Sequence, residues 1–478
     1  MQKPSLLCRY GLSAFALAVA APIAAGAQTL PDALVSAYNN NPQLQAERAT
    51  LRATDEAVPQ ALSNWRPTVQ LTANGGIQHD GARQNCNITT NGRSPCTSAP
   101  LDGATPSSLV STDNLSPQTY GINIQQPIYR GGRTEAQTEQ AVNQVRSERA
   151  HLISIEQTVM LSAVTDYMNV VRDQAEVDLN INNEQVLRRQ LEAAQDRFRV
   201  GEVTRTDVAQ AEAAYAQAIA GRETAQGALQ ISRAGYERDV GELPGKLAPP
   251  DGLPELPTSR EESTGTASTS NPDVVSAQFA QAAAEDTVRL VRGQLLPTVT
   301  LNAGVQRSRE NGTAGLTTDS VSLTAQATMP LYEGGVIYSQ SRQAQQTVSE
   351  RKHQVDDARR AAVQAAAQSW EQLQSDRATI VSLNSQIRAA EIALDGVQQE
   401  AAVGSRTVLD ILNQEQALFQ SRVNLVITQH DEVVAEFALA AALGRLTAKQ
   451  LSLPVTIYDP DKNYETVRNK WAGFGTGE

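Results

Sequence analysis

The sequence predicts an α+β membrane protein made of two tandem repeats, each with a pair of transmembrane β-strands and a long α-helical coiled-coil hairpin. Three observations lead there. The pattern V-G-x-x-T-x-x-D-x-x-x-x-E occurs at Val200 to Glu212 and again at Val403 to Glu415. Residues 128–243 and 331–453 contain none of the chain's 21 prolines; proline breaks a helix interior, so both stretches are free to be helix–bend–helix. Four short segments alternate apolar with uncharged polar residues at period two, as barrel strands between lipid and a wet lumen do.

In chain order, Lys3 and Arg9 precede an apolar run from Leu12 to Ala21 and the A-x-A-like site Ala25-Gly26-Ala27, so residues 1–27 read as a secretory signal. Residues 28–243 form the first repeat. Helix runs from Pro31-Asp32 through Ala33, Leu34, Ala37 and Tyr38, is interrupted at Asn41-Pro42, and stops at Pro67. In the first strand Val69, Leu71 and Ala73 alternate with Gln70, Thr72 and Asn74; in its partner Tyr120, Ile122 and Ile124 alternate with Gly121, Asn123 and Gln125. Between them, residues 78–116 read as a long Asn/Gly/Ser/Pro-rich loop. It carries Cys86 and Cys96, the two cysteines left once the signal is removed, and an oxidising compartment favours a disulfide between them. Past Gly131-Gly132, apolar residues recur at three- and four-residue steps through Leu152, Ile155, Val159, Ala163, Tyr167 and Val170, a coiled-coil-like seam.

Residues 244–270, rich in Pro, Gly, Ser and Thr, read as a linker. The second repeat, 271–453, restates the landmarks. Asn271-Pro272 and Pro297-Thr298-Val299 lie 230 positions after their counterparts, while Pro330-Leu331-Tyr332-Glu333-Gly334-Gly335 and the second bend lie 203 after theirs. The 27 extra residues of the first copy therefore fall between its strands. From double glycine to bend both copies run 69 positions, a reach of about 100 Å as helix. Val299, Leu301, Ala303 and Val305 supply one alternation, and Val321, Leu323, Ala325 and Ala327 the other; residues 454–478 form a tail.

Each bend has a mechanism. Gly201 and Gly404 can take the left-handed conformation that ends a helix. Thr204 and Thr407 can start the next helix, with Asp207 and Asp410 three residues on to answer the free backbone amide. Taken from the residues alone, these aspartates are caps and Arg406 is a solvated surface cation.

Composition narrows the function classes. Only 4% of residues are aromatic and 40% hydrophobic, lean for a thick globular core. A formal charge of −12 argues against a nucleic-acid partner. The four histidines are scattered without metal-ligand spacing, and there is no nucleophile elbow or phosphate loop. No catalytic site, cofactor or metal is expected. Four strands cannot close a membrane barrel, whose smallest natural form has about eight. An open sheet edge in lipid leaves backbone groups unpaired, so copies of the chain must share one barrel. The arithmetic permits two, three or four of them.

The repeat, the P-x-Y-x-G-G strand ends and the V-G-x-x-T-x-x-D bends together resemble the TolC family of outer-membrane efflux and secretion ducts, over essentially the whole mature chain. The resemblance implies a homotrimer with a twelve-stranded barrel and a helical tunnel in the periplasm. It also implies docking to a periplasmic adaptor and to an inner-membrane ABC or proton-driven transporter. Matched position by position, Asp410 stands where a ring of carboxylates narrows the pore. Asn413, one helical turn on, stands where the best-known member has a second aspartate, so the ring here is less negative. Arg406 matches the gate arginine, with Thr206, Asp207 and Gln190 as its partners, and Ala401 stands where a gate tyrosine would be. An ionised Asp410 ring would bind divalent cations, and repulsion among its carboxylates would raise their pKa values. Two readings of other classes stay open: a passive porin-like channel, and a structural periplasmic coiled coil or adaptor.

Overall fold

The computed structural model describes residues 28–85, 108–250 and 256–475; the signal segment and the expected Cys86–Cys96 pair lie outside them. Thr29 caps α1 (Leu30–Asn40). Asn41 ends α1, and its side chain accepts from the amides of Gln43 and Leu44 to start α2 (Pro42–Asp55), where a proline at the first position lacks no bond it could have made. After α3 (Ala57–Leu62) come β1 (Thr68–Gly75), β2 (Gln78–Asn85), β3 (Ser108–Leu115) and β4 (Gln118–Arg130), then α4 (Arg133–Arg199) and α5 (Arg205–Val240). The second half runs α6 (Arg260–Ser270), α7 (Pro272–Arg292), β5 (Thr298–Arg309), β6 (Thr317–Thr328), α8 (Val336–Ala402) and α9 (Val408–Ala442), and α10 (Pro460–Arg468) follows.

The repeat is visible element by element: α4 and α8 each have 67 residues, and α1 and α6 each have 11. The second copy thus starts at Arg260, inside the stretch that reads as linker. Ser259 caps α6, and Ser263 and Ala267 are fully buried on its inner face. Packing overrides the weak helix propensity of a Ser/Thr/Gly-rich run. The 78–116 region also departs from expectation. Gln78 to Asn85 pair antiparallel with Leu115 to Ser108, and the Gly76 amide donates to Pro117, so the β1–β4 hairpin continues as a ribbon beyond the sheet. Ladder bonds are backbone bonds, which a polar composition does not forbid.

The main sheet has the antiparallel order β1-β4-β5-β6. Its register aligns Leu71, Ile122, Val305 and Val321 in one row and Val69, Ile124, Ala303 and Leu323 in the next. The opposite face carries Gln70, Asn123, Gly304 and Ser322, then Thr72, Gly121, Gln306 and Ser320. The apolar rows are uncovered, Leu71 at 77% and Val321 at 83% exposure. Tyr120 and Tyr129 flank them at the two ends, where aromatic girdles sit on membrane barrels. Among the described residues β1 and β6 each leave one edge unpaired. No described helix is long and apolar enough to cross a membrane.

Below the sheet the helices form a wall. Laterally, α5 packs on α4, α4 on α9 and α9 on α8, while nearer the sheet α7 lies between α4 and α8. The turn from β4 into α4 is tight: Gly131 has φ +66°, and a Cβ there would stand 2.3 Å from the carbonyl oxygen of Gly293. The predicted seam is buried, with Ala163 and Tyr167 at 0% exposure, and the Tyr167 hydroxyl lies 2.6 Å from the carbonyl oxygen of Ala248. The tail is an ordered strap: Asn463 donates to Asp55 (2.7 Å), and Arg149 pairs with Asp461 (2.5 Å).

Candidate channel gate at the helical bends

Both bends have the expected construction. Gly201 and Gly404 each have φ +80°. The Gly201 amide donates to Phe198 and the Glu202 amide to Arg197; Gly404 to Ala401 and Ser405 to Glu400 repeat this, which is a Schellman motif in each copy. Thr204 and Thr407 then cap α5 and α9 through reciprocal bonds with Asp207 and Asp410. Asp207 accepts from the Thr204 amide (2.8 Å) and hydroxyl (2.7 Å), and Asp410 from the Thr407 amide and hydroxyl (both 2.9 Å). These bonds favour the ionised form. The Thr204 hydroxyl and amide lower the Asp207 pKa, and the Thr407 amide and hydroxyl lower that of Asp410. In the single chain Asp410 is therefore an ionised cap.

Arg406 lies on the same bend and donates from Nε to Glu400 Oε2 at 2.8 Å. Within one chain that pair occupies its Nε, and no bond from Arg406 to Asp207 or Thr206 forms among the described residues. Thr206 is exposed and Gln190 half-buried on the facing hairpin. Ala401 is buried.

The two hairpins meet just above the bends. Leu187 and Ala194 of α4, Ala211 and Ala218 of α5, and Val408 and Leu412 of α9 form one small apolar cluster. Beside it runs a groove of about 380 Å³ lined chiefly by amides and small side chains, including Asn180, Gln210, Gln217, Asn413 and Gln416. Asn413 is exposed there, one turn from Asp410 on the same helix face. Such a lining binds water and offers no fixed charge.

Two participants escape a reading from sequence. Glu400 became a partner of Arg406 only through the fold of the bend. Its register mate in the first copy is Arg197, and this charge reversal between otherwise matching bends was the signal. Glu415, the last residue of the repeated pattern, is half-buried; burial raises its pKa, and Gln398 donates to it at 3.4 Å. Among the described residues no cluster of His, Cys, Asp and Glu could hold a metal ion.

Comparison with known proteins adds to this geometry. A family model described as outer membrane efflux protein matches residues 33–238 and 265–445. The chain is 36% identical over 454 residues to the outer membrane efflux protein BepC of Brucella suis, covering 95% of this chain and 93% of that one. It is 24% identical to the outer membrane protein TolC of Vibrio cholerae, covering 89% and 92%. The crystal structure of the outer membrane protein VceC from Vibrio cholerae superposes with a TM-score of 0.70 at 20% identity, covering 87% of this chain and 96% of that one.

Proposed function

The chain belongs to the outer membrane efflux protein family, and from that premise we propose that three copies assemble into one export duct with a gated periplasmic end. It is an outer-membrane efflux channel of the TolC type. The observation that carries the shared barrel is the sheet: four strands with apolar rows on one face, polar rows on the other and, among the described residues, an unpaired edge at each side. Joining β6 of one copy to β1 of the next pairs every edge. Two, three or four copies would each give an even strand number within the natural range, and three copies, with twelve strands, is the number the family resemblance implies. The helical wall below continues the same circle as a tunnel with water on both sides.

At the far end of that tunnel the Asp410 carboxylates of three copies form the constriction, with Asn413 beside them. The gate bonds run between hairpins, from Arg406 to Asp207 or Thr206 with Gln190 nearby, in exchange with the Glu400 pair of the single chain. Cargo enters from an inner-membrane transporter, and a periplasmic adaptor bridges the two by binding the open state more tightly than the closed one.

The test is reconstitution. Purified protein should run as a heat-modifiable trimer and conduct ions in a planar bilayer, with low conductance until the bend residues are altered. Stable single molecules that pass no current would overturn the reading. A high conductance indifferent to every bend substitution would instead indicate a passive pore.

A further inference from the structure

At the end of the described residues two large aromatic side chains lie largely uncovered by the other described residues. Trp471 is 70% exposed, and Phe474 is fully exposed, the highest value for any large apolar residue among those described. Only 4% of the chain is aromatic, so two such residues within four positions need a reason.

Their position supplies one. The strap runs upward along α2 and α3, and Arg66 fastens its end: Nη1 donates to the Lys470 carbonyl at 2.7 Å, and the guanidinium lies 4.8 Å from the centre of the Trp471 ring. Arg66 is two residues before β1. The neighbouring Trp65 carbonyl accepts from Gln126 at 2.9 Å. Gln126 belongs to β4, an interior strand, and shares the row of Leu301 and Ala325 on the apolar face. The end of the strap therefore stands under the outward face of the sheet, at the level where Tyr129 marks the lower rim of the apolar band. Its shape fits the place. The Lys470 ammonium donates to the Gly475 carbonyl and closes a small loop, and Gly473, at φ +112°, turns the chain at its apex. Trp471 and Phe474 project from this loop, with Arg468 and Lys470 beside them.

Aromatic rings next to Lys and Arg are the side chains that settle at a bilayer–water boundary, with rings at headgroup depth and cations at the phosphates. We propose that residues 470–475 form a lipid-binding loop that seats Trp471 and Phe474 among the phospholipid headgroups of the leaflet facing the periplasm. The loop fixes the height of the tunnel against the membrane through the strap on α2 and α3. This rests on the sheet being the membrane barrel.

The test uses the full chain with Trp65→Phe and Trp370→Phe, which leaves Trp471 as the one tryptophan of three. It is reconstituted in vesicles of phosphatidylethanolamine and phosphatidylglycerol that carry bromine either close to the glycerol backbone or near the chain end. The expected result is loss of Trp471 fluorescence with shallow bromine, little loss with deep bromine, and protection from aqueous iodide. Iodide quenching without bromine quenching would place the loop in water and overturn the proposal. Quenching by neither would place another copy of the chain over it and overturn it too. The same signal read as the difference between the unaltered protein and Trp471→Phe removes dependence on the double variant's folding. A Leu323→Trp probe in that background with Trp471→Phe added, read as the one tryptophan present, reports on the barrel: if deep bromine leaves it bright, the barrel reading fails; if that probe is quenched and Trp471 in its own variant is not, the loop alone fails.

Discussion

Replacing Arg377 with methionine should loosen the second hairpin at neutral pH and much less in acid. Arg377 on α8 reaches across to Glu436 on α9 and also pairs with Glu432 at 3.3 Å. Glu436 is 1% exposed, and its Oε2 has no partner. Burial pushes its pKa above the ordinary value, and Arg377 pulls it back down. Methionine keeps the apolar stem and removes the charge, leaving a buried carboxylate on which Glu432 also acts to raise the pKa. Breaking a buried pair from one side costs about 3–5 kcal/mol. Arg377 is itself half-exposed, which favours the lower end, about 3 kcal/mol or roughly 100-fold in a local opening equilibrium. The sign with pH follows from the raised folded pKa. Between the unfolded and folded values the native state holds the extra proton, so stability falls as pH rises through that window. Without Arg377 the window extends upward. Hydrogen exchange of the amides around Glu436, corrected for intrinsic rates, should lose roughly 100-fold protection near pH 8 and recover most of it near pH 5. Adding Glu436→Gln should restore protection at both values. An equal loss at both, or a loss under about twofold near pH 8, would refute the reasoning.

Other outcomes follow from the bends and the sheet. Arg406→Ser should raise single-channel conductance, whereas Glu400→Gln should lower it, because freeing Arg406 from its own bend leaves it for the facing hairpin; changes of the same sign would contradict the exchange. Asp410→Asn should abolish block by divalent cations, and in the unaltered channel that block should fade as acid protonates the ring. Gly404→Ala, at φ +80° with nothing within 4 Å of the new Cβ, should cost about 1 kcal/mol through the backbone alone, seen as roughly fivefold faster exchange in the last turn of α8. Leu323→Arg on the apolar face should cost about 2–4 kcal/mol at mid-bilayer and reduce assembled trimer in the membrane, while Ser322→Arg on the polar face should leave assembly intact.

What the sequence disclosed and what it concealed divide along physical lines. The four strands of the main sheet were legible because one face must be apolar, and Val69, Ile124, Val305 and Leu323 announce it at period two. The ribbon of Gln78–Asn85 and Ser108–Leu115 carries no such constraint: it is an extension held by its backbone, and composition alone reads it as loop. The helix α6 was hidden because its stability comes from where Ser263 and Ala267 are buried, a fact of the tertiary structure. The offset of 230 nevertheless pointed to it, since α1 stands that far before it. At the bends the caps could be written down from Thr204, Asp207, Thr407 and Asp410. The Arg406–Glu400 pair could not, because it spans a glycine turn whose reversal of direction brings together residues six apart.

The same construction holds the two bends with unequal strength, which decides which hairpin can move. Leu187 and Ala194 anchor α4 to the small cluster above the first bend. Ala390 and Val397 hold the matching register in α8 and are only half-buried, and α8 has no buried residue between Leu383 and Ala401. The second hairpin therefore leans on the first through α9, by Val408 and Leu412. Swinging it away exposes those two side chains, at about 1.5–3 kcal/mol each, so about 3–6 kcal/mol per chain. Separating the hairpins breaks these contacts whichever one moves; the difference is internal, since Leu187 and Ala194 share their cluster with Ala211 and Ala218 of the same hairpin and keep it rigid, whereas α8 has no such anchor near its bend. A partner that favours one state by about 5.5 kcal/mol carries an equilibrium from 1:99 to 99:1. An adaptor gripping the second hairpin in each copy would thus meet a cost of the size its differential binding can offset, while the first hairpin stays in place as the frame it moves against.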